Sequence, residues 1–447
     1  MKLIYNVHDK PKLTQLIVFA LQQMLAIMAA TIAVPMIIGN GLTPAAALFG
    51  AGAGTLIYVF FTKAKSPVFL GSSFAFLGSM EAAFAGAISM QMGAAGLLIG
   101  AVFAGLVYVI LALVIKLVGV KWISKLMPAV VIGPTVALIG LSLAGNAVGD
   151  LKTCDAGGST YVAVICGLVT LFVVMLVSTY GSKMMKLIPF IIGILAGYGT
   201  ALVFTLIGNA AGIDALKVID FAPFANLVDG GVSLKTFFAV PGFTFLDASK
   251  GLSDVNMSYI GTIFVAFAPV AFVVFAEHIA DHKNLSTIIE QDLLEDPGLS
   301  RTLQGDGVGS IVGAFFGGCP NTTYGESVGC VAITRNASVR TIIAAAIGCI
   351  GISFLSPFVA FVDSIPACVM GGVCIALYGF IAVSGLKMIQ QVDLGKNKNL
   401  FVVSVILITG IGGLKLTFGA VTLTSTACAL ILGIVANLLL NRAKDDE

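Results

Sequence analysis

Glu277 lies in the run Phe272-Val-Val-Phe-Ala-Glu-His-Ile-Ala-Asp281, and Glu326 follows a glycine in Pro320-Asn-Thr-Thr-Tyr-Gly-Glu-Ser327. Both carboxylates sit in long apolar surroundings, where an ionisable group is costly and its default reading is functional. An ionised carboxylate accepts hydrogen bonds, and a protonated one also donates. Glu277 and Glu326 together could therefore grip the N–H and C=O edges of a planar heterocyclic amide. Burial favours the protonated form, which makes either group a candidate proton carrier near neutral pH. Asp281 stands four residues after Glu277, on the same helix face. If both are buried, like charges keep one of the two protonated, which is a loadable proton site.

Each assignment has a plainer competitor. Glu277 could belong to a structural ion pair and Glu326 could cap its own helix. Asp281 begins Asp-His-Lys-Asn284, which also reads as a solvated helix end. His278 points about 100° away from Glu277, so packing or gating fits it better than contact with a ligand. Phe74 either stacks on an aromatic ring or packs like others of the 30 phenylalanines. Asp306 either braces the site from behind or caps its helix.

The elements that must position these residues are membrane spans. Hydrophobic residues make up 58% of the 447 positions and charged residues 10%, with mean hydropathy +1.05. Soluble domains carry about a quarter charged residues. Windows able to cross about 30 Å of hydrocarbon fall near 13–38, 45–62, 92–116, 126–148, 160–181, 186–208, 256–280, 339–361, 365–388, 399–414 and 418–440. Three weaker segments, near 67–85, 304–318 and 320–335, are interrupted by Gly and Pro. The positive-inside rule requires them to cross as well. With fourteen crossings and the N-terminus in the cytoplasm, 19 Lys and Arg fall inside and 5 outside. Among the inner ones are Lys121, Lys125, Lys186, Arg442 and Lys444. The amino-terminal lysines precede an apolar run without a small-residue cleavage site, which reads as a first span rather than a removed signal. Residues 284–303 read as a short amphipathic helix on the inner surface.

The chain also repeats itself. Met127-Pro-Ala-Val-Val-Ile-Gly133 matches Ile365-Pro-Ala-Cys-Val-Met-Gly371, and the interrupted Pro67-Val-Phe-Leu-Gly-Ser-Ser-Phe74 matches Pro320-Asn-Thr-Thr-Tyr-Gly-Glu-Ser327, each pair seven spans apart. An odd span number per repeat implies halves of opposite direction, the inverted-repeat plan of many secondary transporters, whose binding sites lie at broken segments in corresponding places. Pro67–Ser72 and Pro320–Tyr324 read as extended chain followed by helices starting near Ser73 and Gly325. Extended backbone at membrane depth is tolerated only when buried in protein or lining a cavity. The two pieces are thus expected to pair, and their helices to aim free N–H groups and positive dipole ends at one spot.

At these residues the chain resembles the nucleobase-ascorbate transporters, also called nucleobase-cation symporters of the second type, and within them the bacterial uracil permeases. The carrying motifs are Gln22-Gln-Met-Leu-Ala-Ile-Met-Ala-Ala-Thr31, Gly71-Ser-Ser-Phe-Ala-Phe76, Ala276-Glu-His-Ile279 and Asn321-Thr-Thr-Tyr-Gly-Glu-Ser-Val-Gly-Cys-Val-Ala-Ile-Thr-Arg335. The resemblance covers essentially the whole chain. It implies an all-α polytopic fold of fourteen transmembrane segments in a 7+7 inverted repeat, with spans 3 and 10 each a short β-strand plus half-helix. Residues 1–208 form the first repeat, 209–255 an outer loop and 256–447 the second repeat. The core domain comprises 13–118 and 256–361, and the gate domain 125–208 and 362–440. It further implies uracil held by Glu277 and Glu326 and by the backbone N–H groups of Phe74 and Gly325, with Ala30 and Tyr324 nearby and Tyr378 on the gate side. A proton is the coupling ion and no cofactor is needed. The protein would sit in the plasma membrane with both termini cytoplasmic, and members of the family often form homodimers.

The chain departs from the family pattern at two positions. The signature Asn after the acidic residue is Ser327 here. The His that uracil permeases carry four positions after the first Glu is Asp281, as in the purine-transporting branch. A purine (xanthine or urate) proton symporter is therefore the nearest rival reading. An anion exchanger of similar architecture would want a positive or neutral site, against the paired glutamates, and a channel would show no coupling. An enzyme would need a nucleophile–base pair or a metal cluster, and the three histidines and eight singly placed cysteines offer neither. A net charge of +2 gives no reason to expect a nucleic-acid partner.

Overall fold

The apolar runs fold as helices bounded by capping residues and Gly or Pro. The computed structural model describes residues 2–119, 128–418 and 421–440. Helices α1 (Leu13–Ile38) and α2 (Pro44–Phe61) lead to strand β1 (Leu70–Ser72), α3 (Leu77–Ala85) and α4 (Met90–Val118). Then come α5 (Ala129–Ser142), α6 (Ala144–Lys152), α7 (Thr160–Tyr180) and α8 (Pro189–Ala211). Short helices α9 (Ala222–Val228), α10 (Leu234–Phe237) and α11 (Thr244–Gly251) occupy the segment expected as one loop. The second half runs α12 (Met257–Ile289), α13 (Leu299–Gly317), β2 (Asn321–Thr323), α14 (Gly325–Thr334), α15 (Val339–Ile352), α16 (Ser356–Asp363), α17 (Ala367–Ile389) and α18 (Asn397–Ile411). The hairpin β3 (Leu416–Phe418) and β4 (Val421–Leu423) precedes α19 (Ser425–Leu440). Among the described residues, eight helical stretches, counting α5 and α6 as one, are long and apolar enough to cross a membrane.

Local chemistry sets the helix starts. Thr43 accepts from the Ala46 N–H at 3.3 Å with Pro44 in the first turn, and Asn256 accepts from the Tyr259 N–H at 2.8 Å. Such N-caps satisfy donors that the helix itself leaves open.

Several expected boundaries are corrected. Residues 284–303 are not a separate amphipathic helix. Nothing between Asp281 and Ile289 breaks the helix, so α12 runs on to Ile289 and stops where Glu290 turns left-handed at φ 56°. The window 126–148 divides at Leu143 into α5 and α6. The window 339–361 divides before Ser356-Pro357, where a proline in the first turn opens α16. The start of the last window is the β3–β4 hairpin. Lys121, Lys125, Met127, Arg442 and Lys444 lie outside the described residues.

Close helix crossings organise the half that carries Glu277 and Glu326. On α13, Gly309 and Gly313 face Gly54 and Gly50 of α2. A Cβ on Gly50 would come within 2.5 Å of the Gly313 carbonyl oxygen, and one on Gly54 within 2.6 Å of that of Gly309. Without a hydrophobic drive between helices in lipid, such backbone-to-backbone approach supplies the packing. Asn321 of β2 lies at this crossing, its amide donating to the Gly50 carbonyl at 3.1 Å. The amino-terminal segment is tied in too: the Ile4 N–H donates to the Arg335 carbonyl at 2.8 Å, and the Val339 N–H to that of Val7 at 3.0 Å.

Gly313→Val should lower the thermal unfolding temperature of the purified protein in detergent by several degrees. Its Cβ would meet the Asn321 side chain at 2.3 Å, and overpacking costs ~1–3 kcal/mol. Gly351→Ala, where nothing lies within 4 Å, should leave that temperature within a degree or so of the starting protein.

Candidate functional site

The two broken segments meet as expected of buried extended chain. β1 and β2 pair antiparallel, Leu70 with Thr323, Gly71 with Thr322 and Ser72 with Asn321. The ladder extends at both ends, where the Ser73 N–H donates to the Pro320 carbonyl at 2.8 Å and the Tyr324 N–H to that of Phe69 at 3.2 Å. Side-chain hydroxyls serve the outward donors: Leu70 N–H to Thr55 Oγ1 and Phe69 N–H to Ser327 Oγ, each at 2.9 Å. The Tyr324 hydroxyl donates to the Ser72 carbonyl at 2.7 Å. Its ring covers Gly71, where a Cβ would stand 2.4 Å away. Only glycine fits there.

β1 passes through a single 3-10 turn, Phe74–Phe76, into α3, while β2 enters α14 at Gly325. Both junctions open on one cavity of about 520 Å³, within the usual range of ligand sites. Phe74, Glu277, Asp281, Tyr324, Gly325 and Glu326 line one side. Opposite stand Leu377, Phe380 and Ser384 of α17, with Lys186 and Leu187 from the turn before α8. Glu277 and Gly325 are exposed to the cavity, and Asp281 and Glu326 are half-buried. The first N–H groups of α14 lack partners in their own helix. The cavity thus offers carboxylates, backbone donors and an aromatic ring, the set that a planar solute with both donors and acceptors requires.

Asp281 lies inside α12 and not at a solvated end. Thr323 Oγ1 donates to its Oδ2 at 2.8 Å, and its Oδ1 lies 3.8 Å from where a Gly325 Cβ would be. A second face of α12, about 100° around the helix, is polar as well but fully buried. His278 Nδ1 is 2.7 Å from Asp306 Oδ2, and its Nε2 is 3.0 Å from Thr302 Oγ1. Asp306 is within α13, so it does not cap that helix. His282 donates from Nδ1 to the His278 carbonyl at 2.7 Å, and its Nε2 lies 2.6 Å from the Tyr58 hydroxyl, itself 2.7 Å from Ser66 Oγ. The two imidazoles stack at 4.0 Å. Ser327 also accepts from the Gln23 side chain.

Ala30 and Tyr378 are placed apart from the cavity wall. Ala30 is packed inside the protein, and Ala26, one turn earlier on α1, is the lining residue. Tyr378 is buried with its ring edge-on to Phe74, centroids 6.0 Å apart. Phe74, Ala75 and Ile139 also line a second cavity of about 800 Å³ that contains Glu81 and Asn146, so these residues partition the two spaces. The Asn146 amide donates to Glu81 at 3.0 Å across the second cavity. Sequence reasoning missed Thr55, Thr323, Lys186 and the His282–Tyr58–Ser66 set. Their available signal was polar residues within or beside apolar runs.

Residues 14–418 match the Permease family. The uracil permease of Bacillus caldolyticus is 37% identical over 442 residues, covering 98% of this chain and 95% of its own. That of Bacillus subtilis (strain 168) is 36% identical over 455 residues, covering 100% and 97%. The chain belongs to the nucleobase-ascorbate transporter family, in the bacterial uracil permease branch. Its members are transporters, not enzymes, and this one is a multi-pass membrane protein. The transmembrane domain of a cyanobacterium bicarbonate transporter, BicA, shares the fold, with TM-score 0.64 at 14% identity over 96% of this chain and 99% of that one.

Ser327→Ala should destabilise the transporter by ~1–3 kcal/mol, because it strands the buried Phe69 N–H. Ser327→Thr, which keeps the Oγ acceptor, should unfold near the starting temperature in the same detergent measurement.

Proposed function

We propose that the chain carries uracil into the cell by proton symport across the plasma membrane. The observation that carries this reading is the convergence of Glu277 and Glu326 on one cavity at the start of α14. One carboxylate in its acid form donates to a uracil carbonyl while the other accepts from a ring N–H, and the N–H groups at Phe74 and Gly325 take the remaining carbonyl. Phe74 and Tyr324 bound the ring plane. Protonation completes the site, so solute and proton travel together. The relatives named uracil permeases support the choice of solute.

The reading includes fourteen crossings in a 7+7 inverted repeat. β1 with α3 and β2 with α14 count as spans 3 and 10, and the short helices α15–α16, α18 and α19 cross as spans 11, 13 and 14. Residues 13–118 and 256–361 form the core, and 125–208 and 362–440 the gate, with both termini in the cytoplasm. The lysine-rich side then faces inward, so the cavity holding Lys186 is the inner one and that holding Glu81 and Lys415 the outer one. A homodimer is the proposed working unit.

Asp281, with one oxygen toward Gly325, favours one rival. A purine with an additional N–H would find an acceptor there.

Proteoliposomes given an inward proton gradient should accumulate radiolabelled uracil saturably. Excess thymine should block that uptake, and excess xanthine or hypoxanthine should not. Vesicles that accumulate xanthine and leave uracil outside would transfer the chain to purine transport. Glu277→Gln should abolish uptake while the protein still folds, and wild-type uracil affinity in that variant would remove Glu277 from the site.

A further inference from the structure

The hydrogen bonds around the two buried histidines of α12 fix where their protons stand. His282 Nδ1 lies 2.7 Å from the His278 carbonyl, which can only accept, so that nitrogen carries a hydrogen. His278 Nδ1 is 2.7 Å from Asp306 Oδ2, its Nε2 is 3.0 Å from Thr302 Oγ1, and the Thr302 hydroxyl donates to the Leu299 carbonyl at 3.1 Å. A hydroxyl has one hydrogen. With that hydrogen directed at Leu299, Thr302 accepts from His278, and Nε2 is the protonated nitrogen. An ionised Asp306 against a bare Nδ1 would then set two acceptors face to face, so the pair holds one proton more than a carboxylate and a neutral imidazole. Burial decides which partner keeps it. Asp306 Oδ1 has no hydrogen-bond partner, and no Lys or Arg pairs with Asp306 among the described residues. A buried carboxylate with one bare oxygen is far costlier than the neutral acid. An imidazolium at His278 would also lie against the second imidazole, stacked at 4.0 Å. The other titratable groups within electrostatic reach of Asp306 are Tyr58 of α2, Tyr108 of α4 and Glu277 and Asp281 of α12, and none supplies a positive charge.

We propose that the His278–Asp306 pair keeps a resident proton: Asp306 stands as the carboxylic acid and donates from Oδ2 to Nδ1 of a neutral His278, whose Nε2–H donates to Thr302. Asp306 is thereby a positioning residue acting through His278. Glu277 directly precedes His278, so the bond that pins the imidazole to α13 also sets the direction of Glu277 into the cavity. The resident proton is distinct from one taken up with a solute. Both side chains of the pair have 0% exposure, and neither lines the cavity that holds Glu277, Asp281 and Glu326. Neutrality at Asp306 has a consequence for those groups. An anionic Asp306 would oppose the ionisation of Glu277 and Asp281 by like charge, whereas the acid leaves both free to gain and lose protons. That consequence rests on the proton-symport reading above, and the protonation state of the pair does not.

The chain has three histidines, His8 exposed and the other two buried, so full-length protein isotopically labelled in the imidazole nitrogens gives three rings to resolve by magnetic resonance. His8→Gln identifies the exposed ring by its loss. Of the remaining two, one should carry its hydrogen on Nε2, which is His278, and one on Nδ1, which is His282, both neutral and unchanged from roughly pH 5 to 9. The infrared difference between wild type and Asp306→Asn at about pH 9, chosen to ionise carboxyl groups that face the cavity, should contain the C=O stretch of a protonated carboxylic acid. An imidazolium, two rings both carrying the hydrogen on Nδ1, or a carboxylate band in that difference would overturn the proposal. Neither spectrum depends on transport, so failure of proton coupling would leave this result readable. Equilibrium binding of radiolabelled uracil tests the positioning role. Asp306→Asn, neutral and still able to donate to Nδ1, should bind within about twofold of wild type, and Asp306→Leu, which cannot donate, should bind about tenfold more weakly. Equal binding by the Asn and Leu variants would remove the positioning role, and the spectra decide the resident proton even where the Leu variant does not fold.

Discussion

Every extended residue placed away from water must find its hydrogen bonds inside the protein, and the β1–β2 ladder is where this chain meets that demand. Three paired residues on each strand would leave edge donors open on either side. Thr55 and Ser327 close them with hydroxyl oxygens, and the Tyr324 hydroxyl reaches the Ser72 carbonyl. Once the ladder is satisfied, two helices can begin at depth with their positive ends on a common cavity. A pair of continuous spans would have hidden the same N–H groups in their own hydrogen bonds.

Helix α12 converts this arrangement into a site because it has two polar faces with different partners. Glu277 and Asp281, four residues apart, look into the cavity. His278 and His282, also four apart, are pinned to α13 and α2 through Asp306 and Tyr58. The buried face fixes the rotation of the helix, and that rotation decides where the carboxylates stand. The glycine crossing of α2 with α13 brings those anchoring helices close enough to hold the ladder at Asn321.

Much of this was legible in the sequence, for identifiable reasons. Long apolar runs, broken segments in matching places and acidic residues within apolar stretches are local signals, and they pointed to Glu277, Glu326, Phe74 and Gly325. What escaped depends on contacts between distant residues. Nothing in Thr55 or Ser66 says that a strand edge or a histidine lies against it. The helical continuation of α12 was missed because the polar residues of Asp281–Asn284 were read as solvated, when His282 is buried on one face and only Lys283 and Asn284 of the four are exposed. Ala30 and Tyr378 were expected beside the solute through resemblance, and the packing of α1 and α17 places them a layer behind. Lys186 was counted only as an inner-loop charge, as a lysine next to an apolar run ordinarily is, and the seating of Leu187 puts it at the cavity rim.

The pairing of Leu70–Ser72 with Asn321–Thr323 also constrains how the protein is made. About 250 residues separate the partners, and at 5–20 residues per second the ribosome needs roughly 10–50 s to produce the second strand after the first. During that interval the first strand has the Leu70 bond to Thr55 but lacks its ladder partner. The nascent chain must therefore be sheltered, by water or by the insertion machinery, until the second half arrives. The segment made before Asn321 is therefore not a folding unit in its own right, because the hydrogen bonds of its buried strand are completed only by residues that follow it.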